Sequence, residues 1–467
     1  MKKLSLVILT NILISITTFS QDISGPWNGV LNVGSVKLRV VFNLTKTNEG
    51  YKATLDSPDQ GAKDIPVSTT DFQNPKVKMA IPTAGIEYLG ELKEDKIVGI
   101  FKQGGKEFPL DLSKGPIVAE VPKRPQEPKK PYSYYSEDIT FENANANISM
   151  AGTLTLPSKV GIFPAVILIS GSGPQNRDEE LLGHKPFLVI SDYLTRNGIA
   201  VLRFDDRGVG QSKGVFKTAT SADNASDVEA AVTYLKSRKE IKQIGLMGHS
   251  EGGLIAPMVA ANNEDIAFIV MLAGTGIRGD KLLLMQEELI SRANGTPEKD
   301  IQTTKKINSK AFEIIVKSEN DEQLKSEMTK YLMQSLKENP GVDKPKDIKD
   351  EDFVAMQIKQ ISTPWMKFFM KYDPANNLAL VKCPVLAING EKDLQVPAQE
   401  NLSAIENILK KSGNKDVTTK IYANLNHLFQ EAKTGSPAEY QTIEQTFSPV
   451  VMEDFTKWIK NRVEQQK

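Results

Sequence analysis

From residue 132 onward, short apolar runs alternate with stretches of helical periodicity, and this alternation narrows the fold more than any other feature of the chain. The runs fall at 165–169, 199–204, 244–247, 267–272, 385–389 and 417–421, and the helical pattern fills gaps such as 223–238, 252–261, 398–411 and 449–463. Apolar strands alternating with helices imply a mostly parallel sheet with helices on both faces. One gap is too long for a single crossover. Between Leu272 and Val385 lie more than a hundred residues with helical patterns and Leu, Met and Phe clusters. They are expected to form a helical cap over about 279–380, inserted above the carboxyl edge of the sheet.

Upstream the period changes to two. Val36, Leu38, Val40, Phe42 and Leu44 alternate with polar residues, as do Val77, Met79 and Ile81, and then Ile97, Gly99 and Phe101. Short antiparallel strands in a small sandwich or barrel are expected, giving an all-β N-terminal domain over 21–118. Residues 121–131 read VPKRPQEPKKP, with prolines at 122, 125, 128 and 131. That spacing suits an extended charged spacer, so a linker is placed at 119–131 and the second domain at 132–467. The first twenty residues combine Lys2 and Lys3, an apolar run from Leu4 to Phe19, and small residues at Thr18 and Ser20. They are expected to be a signal peptide cut before Gln21, placing the mature protein in the periplasm or outside the cell. No cysteine lies near the cut, which argues against a lipoprotein.

Composition excludes several functions. Lys plus Arg and Asp plus Glu both number 58, so no basic excess exists to neutralise nucleic-acid phosphates. Cys383 is the single cysteine, which rules out an intrachain disulfide and a multi-cysteine metal site. No metal or cofactor is expected.

Two stretches match Gly-x-Ser-x-Gly: Gly210-Gln211-Ser212-Lys213-Gly214 and Gly248-His249-Ser250-Glu251-Gly252. A nucleophile elbow needs a buried strand before the serine, small residues around a sharp turn, and a helix directly after it. Ser250 has all three, whereas Ser212 follows a loop and is assigned to loop structure. A serine hydroxyl needs an imidazole to take its proton, and the chain has three histidines. His427, after the last strand and before the last helix, is the expected base. His249 adjoins the nucleophile and is given a structural or substrate-lining place; His184 lies in the loop after the 165–169 strand. Asp393, in the loop after the 385–389 strand, is the expected acid, with Glu391 as its competitor. The order Ser250, Asp393, His427 is nucleophile, acid, base. Backbone amides of Glu251 and Ser172 are the expected oxyanion donors. Arg177, Asp178 and His184, close in sequence to the Ser172 turn, are expected to line the site entrance.

These motifs carry a resemblance. The stretches Ser170-Gly171-Ser172-Gly173-Pro174-Gln175-Asn176-Arg177-Asp178, Asp205-Asp206-Arg207-Gly208-Val209-Gly210-Gln211-Ser212, Gly248 to Gly252, Gly390-Glu391-Lys392-Asp393, and His427 resemble α/β-hydrolases of the serine aminopeptidase S33-like group, most of all secreted bacterial carboxylesterases of the EstD type. The resemblance covers residue 132 to the end. It implies the α/β-hydrolase fold, a Ser250, Asp393 and His427 triad, and hydrolysis of small-molecule carboxylic esters. The chain departs from many hydrolases in having Ser170-Gly171 where a His-Gly pair precedes the oxyanion loop. Three readings stay open: an esterase, a peptidase or acyltransferase on the same triad, and a non-catalytic exported binding protein. Oligomeric state is not legible.

Overall fold

The computed structural model describes residues 22–33, 36–60, 62–103, 106–115, 123–339 and 348–465. The expected signal peptide, its cut before Gln21 and the linker residues 119–122 lie outside the described residues. The chain divides into two compact units, one drawn mainly from residues 22–115 and the other mainly from residues 123–465.

The first unit is a ten-stranded sheet in which neighbouring strands pair antiparallel, for example Ile86–Lys93 with Lys96–Gln103. The period of two does what such a pattern requires: Trp27, Val40, Phe42, Val77, Met79, Ile81, Ile97 and Phe101 are buried in one core. Gly99 is small for a local reason. A Cβ there would stand 2.6 Å from the Tyr88 hydroxyl, which is held within 3.1 Å of the Ile97 carbonyl and 3.0 Å of the Leu110 carbonyl.

The second unit holds an eight-stranded sheet, its strands numbered here β1 (Tyr135–Asn143), β2 (Ile148–Leu156), β3 (Phe163–Ile169), β4 (Ala200–Phe204), β5 (Ile241–His249), β6 (Ile266–Leu272), β7 (Val385–Gly390) and β8 (Val417–Tyr422). Their spatial order is β1-β2-β4-β3-β5-β6-β7-β8. The β1–β2 hairpin pairs antiparallel with β4, and every later pairing is parallel. Strands such as β3 and β6 are apolar throughout because helices cover both faces. One face packs on α2 (Ser221–Lys236), α3 (Glu251–Ala260) and α10 (Ala398–Lys411) through Val228, Val232, Ile255, Val259, Ile405 and Leu409. The other packs on α1 (Pro186–Arg196) and α11 (Pro449–Gln465) through Phe187, Ile190, Val451, Phe455 and Ile459. This is the α/β-hydrolase arrangement.

Among the described residues, the long gap after β6 holds six helices: α4 (Gly279–Ala293), α5 (Glu298–Lys317), α6 (Asp321–Glu338), α7 (Asp350–Ile361), α8 (Pro364–Lys371) and the short α9 (Ala375–Leu378). Ala311, Ile315, Met328, Val354, Ile358 and Met370 give them a core of their own. A second cluster joins Leu282 of α4 and Phe369 of α8 to Leu254 of α3.

The described part of the proline-rich stretch packs on the loops of the second unit. Arg124 donates to the carbonyls of Leu182, Gly183, Gln441 and Ile443 at 2.9–3.2 Å. Gln126 accepts from the Thr446 and Phe447 amides and donates to the Phe447 carbonyl. Irregular loops expose backbone groups that no strand satisfies, and a guanidinium brings five donors to them. From Lys123 on, the segment belongs to the second unit.

Candidate active site

The elbow is built by β5 and α3. Ser250, between them, has φ +52° and ψ −115°, a conformation L-residues rarely adopt. Its amide donates to the Leu272 carbonyl and its carbonyl accepts from the Gly253 amide, both at 2.9 Å. The flanking glycines are sterically required. A Cβ on Gly248 would lie 1.9 Å from the Gly252 carbonyl oxygen, and one on Gly252 would lie 2.1 Å from that of Ile169. The second match to the motif is different: Ser212 is buried, donates to the Asp205 carbonyl at 2.6 Å and accepts from the Ala151 amide at 2.9 Å. Its hydroxyl is a loop brace.

His427 stands on the loop after β8. Its Nδ1 is 2.8 Å from Asp393 Oδ2, and the two residues are 4% and 3% exposed. Asp393 Oδ1 accepts from the amides of Gln395 and Val396, each at 2.8 Å, which fixes the carboxylate plane. Asn426 shapes the histidine loop by accepting from the Leu428 and Gln430 amides. Gly390 lets the two loops meet, since a Cβ there would stand 2.2 Å from the Leu425 carbonyl oxygen. Glu391 is exposed and accepts from the Asn424 amide at 3.0 Å, so it serves the loop rather than the imidazole. Because Nδ1 donates to Asp393, Nε2 is left as the basic nitrogen. Among the described residues, Ser250 Oγ and His427 Nε2 share no hydrogen bond.

The turn after β3 lies against Ser250. A Cβ on Gly171 would be 3.3 Å from Ser250 Cβ. Two buried carboxylates hold this turn. Glu179 Oε1 accepts from the Gly171 amide at 2.7 Å; Asp206 accepts from the Ser170 hydroxyl at 2.6 Å and from the Gln175 amide at 2.9 Å. Burial pushes the Asp206 carboxyl up to about 8, against the pull of those two hydrogen bonds and with the help of Glu251 and Glu179. The amides of Ser172 and Glu251 have no partner among the described residues. The Glu251 side chain is buried and raised in pKa by that burial, while its Oε1 accepts from Ser221 Oγ at 2.6 Å and from Trp365 Nε1 at 2.8 Å. The residue after Ser250 is thereby tied to α2 and to α8.

Four residues named as possible lining of the site are held by other partners, and for His249 this is the structural one of its two expected places. Arg177 is committed to Asp205 at 2.7 Å and to Asp138 at 3.2 Å, and Asp178 pairs with Arg203. Both line an open cleft of about 860 Å³ with Tyr132 and Tyr134, and neither Ser250, Asp393 nor His427 borders it. His249 is 6% exposed with Nδ1 at 3.0 Å from Glu179 and Nε2 at 3.0 Å from the His427 carbonyl oxygen, so both its ring nitrogens are committed to neighbouring loops. His184 is 0% exposed, with Nε2 at 2.8 Å from the Tyr440 carbonyl and Nδ1 at 3.1 Å from Thr446 Oγ1. Burial drives its pKa down to about 4. His184→Ala should therefore cost stability, about 2 kcal/mol from an unpaired buried carbonyl and a void, with kcat and KM of the folded fraction little changed. The unfolded chain binds the proton that the folded chain refuses, so stability falls as pH drops from 6.5 toward about 4. Melting curves across that range should show His184→Ala losing this acid sensitivity; an undiminished slope would assign it elsewhere.

Sequence reasoning missed Glu179, the side-chain role of Asp206, and Trp365. Asp205-Asp206 directly after a buried strand was a signal, since carboxylates at a strand end need donors close by. Glu179 sits in an acidic loop run, Asp178-Glu179-Glu180, that looks like a solvated surface. Trp365 is on a helix a hundred residues away. Among the described residues, no group of three His, Cys, Asp or Glu side chains is arranged to hold a metal ion.

Residues 187–432 match the family model described as serine aminopeptidase, S33. Esterase EstD of Thermotoga maritima is 26% identical over 313 residues, covering 66% of this chain and 64% of that protein. The chain thus spans slightly less than two thirds of that relative. Among solved structures, an esterase of Pyrococcus furiosus aligns with a TM-score of 0.44 at 17% identity, covering 74% of this chain and 98% of its own. Est1E of Butyrivibrio proteoclasticus, with ferulic acid bound, aligns with a TM-score of 0.41 at 17% identity, covering 70% and 99%.

Proposed function

The chain belongs to the serine aminopeptidase S33 family, and on that premise we propose that it is a serine hydrolase that cleaves small-molecule carboxylic esters through an acyl-enzyme on Ser250. The observation that carries this reading is the 2.8 Å contact of His427 Nδ1 with buried Asp393, on loops that meet beside a serine held at φ +52°. His427 Nε2 takes the proton of Ser250 Oγ as the oxygen attacks the ester carbonyl, and returns it to the departing alcohol. Asp393 fixes the tautomer and stabilises the imidazolium. The oxyanion of each tetrahedral intermediate is held by the Ser172 and Glu251 amides, the second at the positive end of α3. Water then attacks the acyl-enzyme with the same base. Helices α4 to α9 act as the cap, with Trp365 anchoring them to Glu251 at the nucleophile. The partner is a small ester, as the EstD match suggests.

A panel of p-nitrophenyl esters and aminoacyl anilides tests the reading. Turnover of the esters should exceed that of the anilides by roughly a hundredfold or more at equal concentration, a gap of about 3 kcal/mol in activation free energy. Faster anilide cleavage would move the protein to the peptidases, and no turnover with no probe labelling would make it a binding protein.

A further inference from the structure

Three loops converge on the nucleophile: the turn after β3, the elbow after β5 and the histidine loop after β8. One side-chain pair touches all three. Glu179 Oε1 accepts from the Gly171 amide at 2.7 Å and lies 3.0 Å from His249 Nδ1; His249 Nε2 lies 3.0 Å from the His427 carbonyl oxygen. Glu179 and His249 are 5% and 6% exposed. Glu179 is itself held at φ +51°, a backbone conformation that a non-glycine residue keeps only where its surroundings enforce it. The His249 and His427 rings stand 4.8 Å apart between centroids.

We propose that Glu179 and His249 form a charged bridge that sets the oxyanion turn and the histidine loop relative to Ser250, and that they are positioning residues for acylation. This rests on the serine-hydrolase reading above. Both ring nitrogens of His249 face oxygen acceptors. A neutral imidazole carries one N–H and satisfies one of them, so both bonds exist together only in the imidazolium. Burial opposes that charge, and Glu179, the His427 carbonyl and Asp393 outweigh it, so the His249 pKa is raised. The titratable groups facing the ring are Glu179 from the loop before α1, and His427 and Asp393 from the loops after β8 and β7. Beside Glu179 and His249, the small cavity they border is lined by Pro186, Phe187, Ile190, Leu272, Leu428 and Phe447, all apolar.

The bridge touches no reacting atom, so its loss should act on kcat through misplacement. Glu179→Ala and His249→Ala should lower kcat roughly a hundredfold with KM within about threefold, the scale expected for a catalytic group displaced by about 1 Å. The near-isosteric Glu179→Gln keeps an oxygen for Gly171 and should restore part of the loss. Two readouts separate positioning from mere stability. The rate of fluorophosphonate labelling at Ser250 should fall in step with kcat in protein that melts normally. The wild-type kcat profile should carry an alkaline limb that moves to lower pH in Glu179→Gln, because the removed charge had held the proton on His249, and that is absent in His249→Gln. A limb retained in His249→Gln would belong to Asp206, whose carboxyl is pushed up to about 8, and would overturn the bridge. The wild-type profile settles the matter even where an alanine variant fails to fold: with no alkaline limb at all, the bridge is also wrong. Failure of the underlying reading looks different. Wild-type protein labelled at Ser250, with Glu179→Gln and His249→Gln labelling equally fast, sinks the bridge alone; a Ser250→Ala protein that still takes the probe sinks both.

Discussion

Ser250→Ala should abolish covalent labelling by a fluorophosphonate and reduce ester turnover by about four to six orders of magnitude, because a missing nucleophile leaves only oxyanion-hole and binding contributions. The fold should survive the change. Alanine meets the same φ of +52° that serine endures, and the amide and carbonyl bonds of residue 250 to Leu272 and Gly253 are main-chain bonds. A melting temperature close to wild type, together with lost labelling, separates chemistry from unfolding. Ser212→Ala is the matched control from the other Gly-x-Ser-x-Gly stretch. It removes a hydroxyl that links the Ala151 amide to the Asp205 carbonyl, so it should cost about 1–2 kcal/mol of stability and leave labelling intact. Persistent labelling of Ser250→Ala would end the mechanism, since the probe would then be reading another nucleophile.

The contrast between the two serines shows which parts of this protein are legible in its sequence. The elbow is a local object: strand, glycine, serine, glycine and helix all lie within a dozen residues, and the steric demands on Gly248 and Gly252 follow from that turn. The strand and helix alternation is local too, as is the excess length between Leu272 and Val385. Choices among neighbours in one loop are less legible. Asp393 and Glu391 lie two residues apart after the same strand, and only the path of the loop turns one carboxylate inward to two amides and an imidazole and the other outward to Asn424. Histidines mislead for the same reason. His184 is near the oxyanion turn in sequence, but its ring is claimed by Tyr440 and Thr446, more than 250 residues on. His249 lies next to Ser250 and its ring is claimed by Glu179 and the His427 loop. Side chains that join distant loops carry no periodic signal, which is why the carboxylates around Ser250 stayed hidden while the strand-turn-helix geometry of Ser250 did not.

That difference makes the acid the more searching target for mutation. Asp393→Asn should lower kcat by about 10⁴ with KM nearly unchanged, on the tautomer argument that applies to serine triads in general. In the native site Oδ1 takes the amides of Gln395 and Val396 and Oδ2 takes the Nδ1 proton of His427. Asparagine keeps one carbonyl oxygen, which the two backbone donors claim, and turns its amide group toward the ring. His427 Nδ1 must then accept, its proton moves to Nε2, and the nitrogen that should take the proton of Ser250 already carries one. The two loop bonds survive, so the melting temperature should shift little. Fluorophosphonate labelling should still reach completion, slowly, because the nucleophile is present and only its base is mis-set; this distinguishes the variant from Ser250→Ala. Glu391→Gln should stay within about twofold of wild type, since an exposed side-chain oxygen can go on accepting from Asn424 without bearing charge. A silent Asp393→Asn beside a crippled Glu391→Gln would transfer the acid's role to Glu391 and would mean that the loop after β7 rearranges before the reaction, while leaving Ser250 as the nucleophile.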